Sequence, residues 1–441
     1  MKTRAIVFFG LFDRIKSVIT EIIGQSDCYV ICNNNDTDLK KQCNGRLIFL
    51  DEVVDMQACT AAGNLESEKR CYELSSFLFS NLGDLPYSQY LDTDSENVIA
   101  RGIQVGLRLY YTYINGFKKL LEQFDIRCSV LSPSYLDKYQ AVAALSKVYG
   151  IPSIHLQHGS WITNEILLPE VCDVVALADN FGLQILNQFP VSGTKKYVTG
   201  TPFTSIESDD VLDVSKDKLK RAAAKELLQL DPKASIILYT CPFMEGLYLT
   251  SSCLAFQFVE TLENIISVAK AREEMGKPTI IIVRQNPGRT AIEDVNAILS
   301  VGEELNYNNL VVISDRKDSV MTATDIIVSS MSDSSVLLDA CAAGRPCVAM
   351  HMYPRGAHLI GCTIMSNYCS FVQDYEQLNA EINGLLDNEE YWLKRQHDGY
   401  KFAKGQRPFS AYQGQKNIGR LIVDVANHKT VNFVTQEQFN S

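Results

Sequence analysis

The sequence has no apolar run near the ~20 residues that a membrane-spanning helix needs; its longest runs are strand-sized. No apolar segment with a small-residue cleavage site follows the opening Met-Lys-Thr-Arg, so no secretion signal is expected. Positive charge is in deficit, with 41 Lys and Arg against 52 Asp and Glu and a net charge of -11. A general nucleic-acid binder would show the opposite balance, so no nucleic-acid partner is expected. The 13 cysteines form no CxxC pair, and the 6 histidines are dispersed. A disulfide framework or a zinc site needs clustering. Reduced cysteines used as small apolar residues, a cytoplasmic location and no bound metal are therefore expected. Three common α/β fingerprints are also missing: GxGxxG after a strand, GxxxxGK[ST] and GxSxG. Dinucleotide-binding, P-loop and nucleophile-elbow explanations are weakened accordingly.

What is present is a chain of 441 residues, 46% hydrophobic and 21% charged, enough for two or three domains with a sizeable core. Short apolar runs alternate with segments of helical spacing. RAIVFFG (Arg4–Gly10) reads as a buried parallel strand, and Ile15, Val18, Ile19, Ile22 and Ile23 then recur at helical spacing. The alternation continues to a short strand at Lys196–Thr199. It stops in an acidic, then lysine-rich stretch, and restarts at Ser235–Thr240. The reading is α/β throughout: two Rossmann-like, doubly wound parallel-sheet domains. The expected boundaries are 1–205, a linker at 206–230, a second domain at 231–390 and C-terminal helices at 391–441 that pack back across both domains. The lysine-rich run KDKLKRAAAKELL reads as a helix with a solvated face.

In open parallel sheets ligands bind beyond the carboxyl ends of the strands, and two facing sheets would share a cleft. Residues just after strands therefore carry most weight. Ser329–Pro346, SSMSDSSVLLDACAAGRP, places hydroxyls and free backbone N–H groups where a helix begins near Ser334. Such an end suits a phosphate, with Ser332, Ser334 and Ser335 as donors. Asp339 lies four residues beyond Ser335 on the same helix face, where a carboxylate can accept both hydroxyls of a ribose. The alternative is helix capping by Ser332 or Asp333. Arg284, Asn286 and Arg289 follow the strand TIIIV, and two guanidiniums in one turn suit phosphate or carboxylate binding. His158 follows the strand Pro152–Leu156 and is a candidate proton acceptor, whereas His155 falls within the strand as a core residue. Asp13, after the first strand, is either a helix cap or a second candidate base.

Three segments carry a family resemblance. Ala143–Ser160 resembles the "GIP…QHG" segment of capsule-polysaccharide and teichoic-acid-type transferases, and KKYVTGTP (Lys195–Pro202) resembles their "VTGNP". Ala323–Met350 resembles the nucleotide-sugar segment of GT-B glycosyltransferases, "aD…S…EA…GkP", with Asp339 in the place of the ribose-binding Glu. Non-hydrolysing sugar-nucleotide 2-epimerases share that segment. Where related transferases read "HP", this chain has Asn286-Pro287, so Arg284 or Arg289 would supply the charge.

The resemblance implies a GT-B fold and a metal-independent glycosyltransferase building surface polysaccharide such as capsule or lipopolysaccharide. The donor would be a nucleotide sugar, CMP-Kdo or another CMP-nonulosonate first and a UDP-hexose second. The acceptor would be a carbohydrate or glycolipid hydroxyl, with Asp13 or His158 as base. No cofactor is expected beyond the donor itself, and the enzyme would be cytoplasmic, with a peripheral contact at the inner membrane. Two alternatives stay open: a sugar-nucleotide epimerase, or a non-catalytic carbohydrate- or nucleotide-binding partner of a polysaccharide assembly complex.

Overall fold

A computed structural model of the chain describes residues 2–10, 15–33, 36–82, 93–132, 137–157, 172–187, 194–201, 213–240, 252–284, 292–313, 317–330, 335–350 and 368–429. The chain divides into two compact units: residues 1–158, 164–205 and 409–441 form the first, and residues 159–163 and 206–408 the second.

The first unit contains β1 (Thr3–Gly10), α1 (Lys16–Gln25), β2 (Tyr29–Cys32), α2 (Thr37–Gln42), β3 (Leu47–Phe49), α3 (Leu50–Val53), α4 (Met56–Leu82) and α5 (Thr93–Gln123). It continues through β4 (Phe124–Ser132), α6 (Asp137–Val148), β5 (Ser153–Leu156), β6 (Val174–Leu177), α7 (Asn180–Leu186) and β7 (Lys195–Val198). All pairings are parallel, in the order β3-β2-β1-β4-β5-β6-β7. The unbroken apolar run of β1 follows from burial on both faces. Ile6 and Phe8 point into a cluster with Val18, Ile19 and Ile22 of α1, while Val7 and Phe9 point into another with Phe117 and Val142. The N-cap position of α1 is Ile15, whose side chain caps nothing. β4 begins four residues before its apolar core because it pairs with β1 from Thr3 onward.

The second unit contains α8 (Val214–Leu227), β8 (Ser235–Thr240), α9 (Ser252–Glu274), β9 (Thr279–Arg284), α10 (Ile292–Glu304), β10 (Leu310–Ile313), α11 (Lys317–Ala323) and β11 (Ile326–Ser329). Then come α12 (Ser335–Ala342), β12 (Cys347–Met350), β13 (Cys369–Val372), α13 (Tyr375–Asp387) and α14 (Glu389–Gln406). Its sheet is also parallel, in the order β10-β9-β8-β11-β12-β13. A last helix, α15 (Ala411–Ala426), belongs to the first unit, where Ile418, Leu421 and Ile422 complete the α1 cluster.

The stretch expected as a linker contains α8, which packs inside the second unit. Its charges do not all face water. Arg345, 3% exposed, donates two hydrogen bonds to the Asp217 carboxylate at 2.8 and 3.0 Å. Arg221 and Lys225 donate to the two oxygens of Asp325, at 2.7 and 3.1 Å, and the backbone N–H of Ile236 adds a third bond at 2.8 Å. The indole of Trp392 donates to the Asp325 carbonyl at 2.9 Å and lies under the Arg221 guanidinium. Charges this deeply placed persist because they are paired and hydrogen-bonded.

Ten cysteines, those of described side chain, are free thiols, all buried except the half-buried Cys71. Burial pushes the thiols of Cys28, Cys43, Cys59, Cys128 and Cys347 up, which keeps them protonated and unreactive. Among the described residues no helix is long and apolar enough to cross a membrane.

Two stability measurements check this description. Gly10 has φ +141°, and a Cβ there would lie 1.9 Å from the Ser132 carbonyl oxygen. Gly10→Ala is expected to destabilise the first unit by ~2 kcal/mol or more in denaturant titration. Asp217→Ala strands the buried Arg345 guanidinium and is expected to destabilise the second unit by ~3 kcal/mol in the same assay.

Candidate functional site

In the second sheet β8 lies between β9 and β11, and the chain leaves β8 and β11 on opposite sides, so the gap between them is a switch point. Register decides what stands there. Thr240 pairs with Arg284 across β8 and β9, and Ser329 pairs with Thr240 across β11 and β8. The row continues into Ile313 on one side and Ala349 on the other. Three polar residues thus occupy the middle of an otherwise apolar carboxyl edge.

These groups are buried. Thr240 is 6% exposed, Ser330 2% and Ser329 1%. The Thr240 hydroxyl, the Ser330 hydroxyl and Nε of Arg284 have no hydrogen-bond partner among the described residues. A buried unsatisfied polar atom costs ~1–3 kcal/mol, and three of them stand at this carboxyl edge. Gln257 of α9 holds the edge in shape: its amide donates to the carbonyls of Ser330, at 2.6 Å, and Met350, at 3.2 Å.

α12 starts at Ser335, and Asp339 sits one turn into it. The Arg407 guanidinium contacts Asp339 Oδ1 at 2.7 Å, with side-chain exposures of 7% and 13%. Burial pushes the Arg284 guanidinium below its ordinary pKa, and the charges of Asp339 and Asp318 oppose that shift. Arg284 and Asp339 therefore share one electrostatic environment. Such a set can bind a phosphate through hydroxyls, a guanidinium and a helix start, and a vicinal diol through a carboxylate.

Of the residues singled out in the sequence, Arg284 and Asp339 are in the same unit and interact electrostatically. Ser335 is the first residue of α12. Asp13, His158, Asn286, Arg289, Ser332 and Ser334 lie outside the described residues. Sequence reasoning missed Thr240 and Arg407, and took Ser330 only as part of the Ser-rich segment. Thr240 ends a strand already recognised, but only strand register brings it beside Arg284. Arg407, the C-cap residue of α14, carries no local signal.

The first sheet repeats the order of strands, with β1 between β2 and β4 at its own switch point. There the N–H of Gly10 points at Asn33 Oδ1, at 3.5 Å, and Asn33 also bonds Tyr139. Burial pushes the Tyr139 phenol up, and Tyr113 adds to the shift. Gln157, of the QHG segment, ties β5 to β6: its side-chain oxygen accepts from Ala178 N at 2.7 Å, and its N–H donates to Ala176 at 3.0 Å. His155 is 1% exposed within β5, in the core as expected.

No protein-family model matches the chain, and no curated protein matches it. Solved structures do. Sucrose-phosphate synthase from Thermosynechococcus elongatus matches with TM-score 0.55 at 12% identity, over 97% of this chain and 100% of the other. A glycosyltransferase from Rickettsia africae matches with TM-score 0.53 at 10% identity, over 97% and 100%. A putative UDP-N-acetylglucosamine 2-epimerase from Listeria monocytogenes matches with TM-score 0.51 at 12% identity, over 99% and 100%. Likeness at such identity speaks for the fold alone: two Rossmann-like units built on parallel sheets, the GT-B fold.

Proposed function

We propose that the chain is a glycosyltransferase that moves a sugar from a nucleotide-activated donor to a hydroxyl of a saccharide acceptor. The observation that carries this reading is the cluster of unsatisfied buried groups, Thr240, Ser330 and Arg284, beside Asp339 at the switch point of the second unit. The donor phosphates would satisfy the two hydroxyls and the guanidinium. The ribose would lie against Asp339. A carboxylate offers about four lone-pair sites, so its contact with Arg407 orients it without exhausting its acceptors.

Leaving-group charge is the main electrostatic problem in sugar transfer. As the bond to the anomeric carbon breaks, negative charge grows on the nucleotide phosphate. Arg284 and the amino end of α12 are fixed before reaction begins, so stabilising that charge requires little reorganisation. The acceptor hydroxyl must lose its proton, and Asp13 or His158 is the assigned base. Each follows the carboxyl end of a strand of the first sheet, β1 or β5.

A UDP-sugar is the preferred donor. The Listeria protein is named for a UDP-sugar, and none of the three structures compared is named for a CMP-sugar. Capsule or lipopolysaccharide synthesis remains the assigned context, on the QHG resemblance. The second reading, a sugar-nucleotide epimerase, is favoured by the likeness to that same Listeria protein and needs the same nucleotide site. The two separate in one assay: incubated with a UDP-sugar and no acceptor, an epimerase converts it and a transferase leaves its sugar unepimerised.

Thermal unfolding in the presence of CMP, UDP, GDP or CDP tests the site directly. A nucleotide at 100 times its dissociation constant adds ~2.7 kcal/mol of stability, and UDP is expected to give the largest shift. Arg284→Ala and Asp339→Asn should each weaken that nucleotide at least ~10-fold, the effect of one charge-assisted contact. No shift with any nucleotide would sink the assignment. Thr240→Val separates binding from folding: removing an unsatisfied hydroxyl should raise the melting temperature of the free protein while reducing the shift given by UDP.

A further inference from the structure

The amino edge of the first sheet, at the opposite end from Gly10, holds an open cavity of about 640 Å³. It lies where β4 and β5 begin and where α5, α6 and α15 end. Small-molecule sites ordinarily span ~300–1,000 Å³. Phe124 and Pro152 give the cavity apolar walls and Tyr149 an aromatic one, while Lys2, Arg127 and His428 bring basic nitrogen from three separate stretches of chain.

Arg127 stands there because its strand is irregular. Across β1 and β4, Ala5 pairs with Ile126 but Ile6 with Cys128, so Arg127 is the extra residue of a β-bulge. The core records the consequence. Ile126 packs with Phe117 and Leu131 on one face of the sheet, whereas Cys128 and Val130 pack with α1 on the other. In a regular strand Ile126, Cys128 and Val130 would share a face. Bulges are rare between parallel strands, and they re-aim a side chain.

The guanidinium so placed has bonds to spare. The Asp125 carboxylate lies 3.5 Å from its Nη1, and its Nε, shut away from water, has no hydrogen-bond partner among the described residues. Lys2 donates at 2.5 Å to the Leu121 carbonyl of α5, which uses one of three ammonium protons. Three helix carboxyl ends meet here, and bare carbonyls would repel an anion. Lys2 covers that of Leu121. In α6, Lys147 and Ser146 accept from the N–H groups of Gly150 and Ile151; in α15, Val425 and Asp424 accept from those of His428 and Lys429. Against its three basic side chains the lining sets one acid, Asp125.

We propose that this cavity binds a phosphorylated sugar, with the phosphate on Arg127 and Lys2 and the sugar ring against Tyr149. A phosphomonoester carries about −1.5 to −2 charge, enough to engage both cations, and a guanidinium meets its oxygens in pairs. The cavity is far larger than a free phosphate, and its apolar and aromatic walls suit the C–H faces of a ring. The site needs nothing from the nucleotide site of the second unit.

Isothermal titration calorimetry with glucose 6-phosphate should show one binding event per chain, of the same affinity with and without excess UDP. Inorganic phosphate should bind at least ~10-fold more weakly. Arg127→Gln and Lys2→Gln should each weaken the sugar phosphate at least ~10-fold, the effect of one charge-assisted contact. Should Arg127→Gln fail to fold, Lys2→Gln, at an exposed side chain, carries the test. Tyr149→Ala, at a side chain 53% exposed, should weaken glucose 6-phosphate while leaving inorganic phosphate and the melting temperature unchanged. No binding of glucose 6-phosphate would overturn the proposal, as would binding indifferent to Lys2→Gln and Arg127→Gln. Inorganic phosphate bound as tightly as the sugar phosphate would overturn it too, and so would competition by UDP, which would place the ligand in the second unit.

Discussion

Strand register is the constraint on which the candidate site depends. Thr240, Arg284 and Ser329 come from three segments spread over ninety residues of chain. They align only because β8 pairs with β9 and β11 in the observed parallel register. A slip of one residue would turn each side chain to the other face of the sheet. The apolar bodies of these strands prevent such a slip: Ile237, Tyr239, Ile281, Val283, Ile326 and Val328 fill one core on one face. Hydrophobic packing thus fixes polar geometry that nothing in the polar residues themselves would enforce.

Charge does comparable work away from the sheet edge. Asp325 pairs with Arg221 and Lys225 of α8, Asp217 of α8 pairs with Arg345, and these contacts join α8 to the core of the second unit. Arg272, 2% exposed, is held by Asn383 and Asp387 on α13. Arg407 meets Asp339 with little access to water. Each is a deeply placed cation matched by an acid or amide, and apart from Arg221 with Asp217 the partners are far apart in sequence. Such pairs contribute specificity of arrangement as much as stability.

That separation explains what could be read from the sequence. Both sheets were legible, because IVFF in β1 and IILY in β8 are unbroken apolar runs and the helices between them keep a period near 3.6. The place of α8 was not. Its spacing showed a helix but only solvated charge, because its packing partners are ionic and lie more than a hundred residues away. β13, CSFV, is four residues long with half-buried positions and gave no signal. Arg345 carries no signal of its partner in the sequence, and only the fold reveals the carboxylate it grips. Asp339 and Arg284 were visible through their positions after strands, whereas Thr240 needed the register of neighbouring strands.

The first unit is built from segments on both sides of the second. β1 is made before the second unit, yet the cluster behind it is completed by Ile418, Leu421 and Ile422 of α15. During synthesis, every residue of the second unit leaves the ribosome before that side of the first core can be sealed. The nascent first sheet therefore carries bare apolar surface while the whole of the second unit is made, a window in which chaperones would engage it. A transcript truncated before codon 411 would leave that surface permanently uncovered.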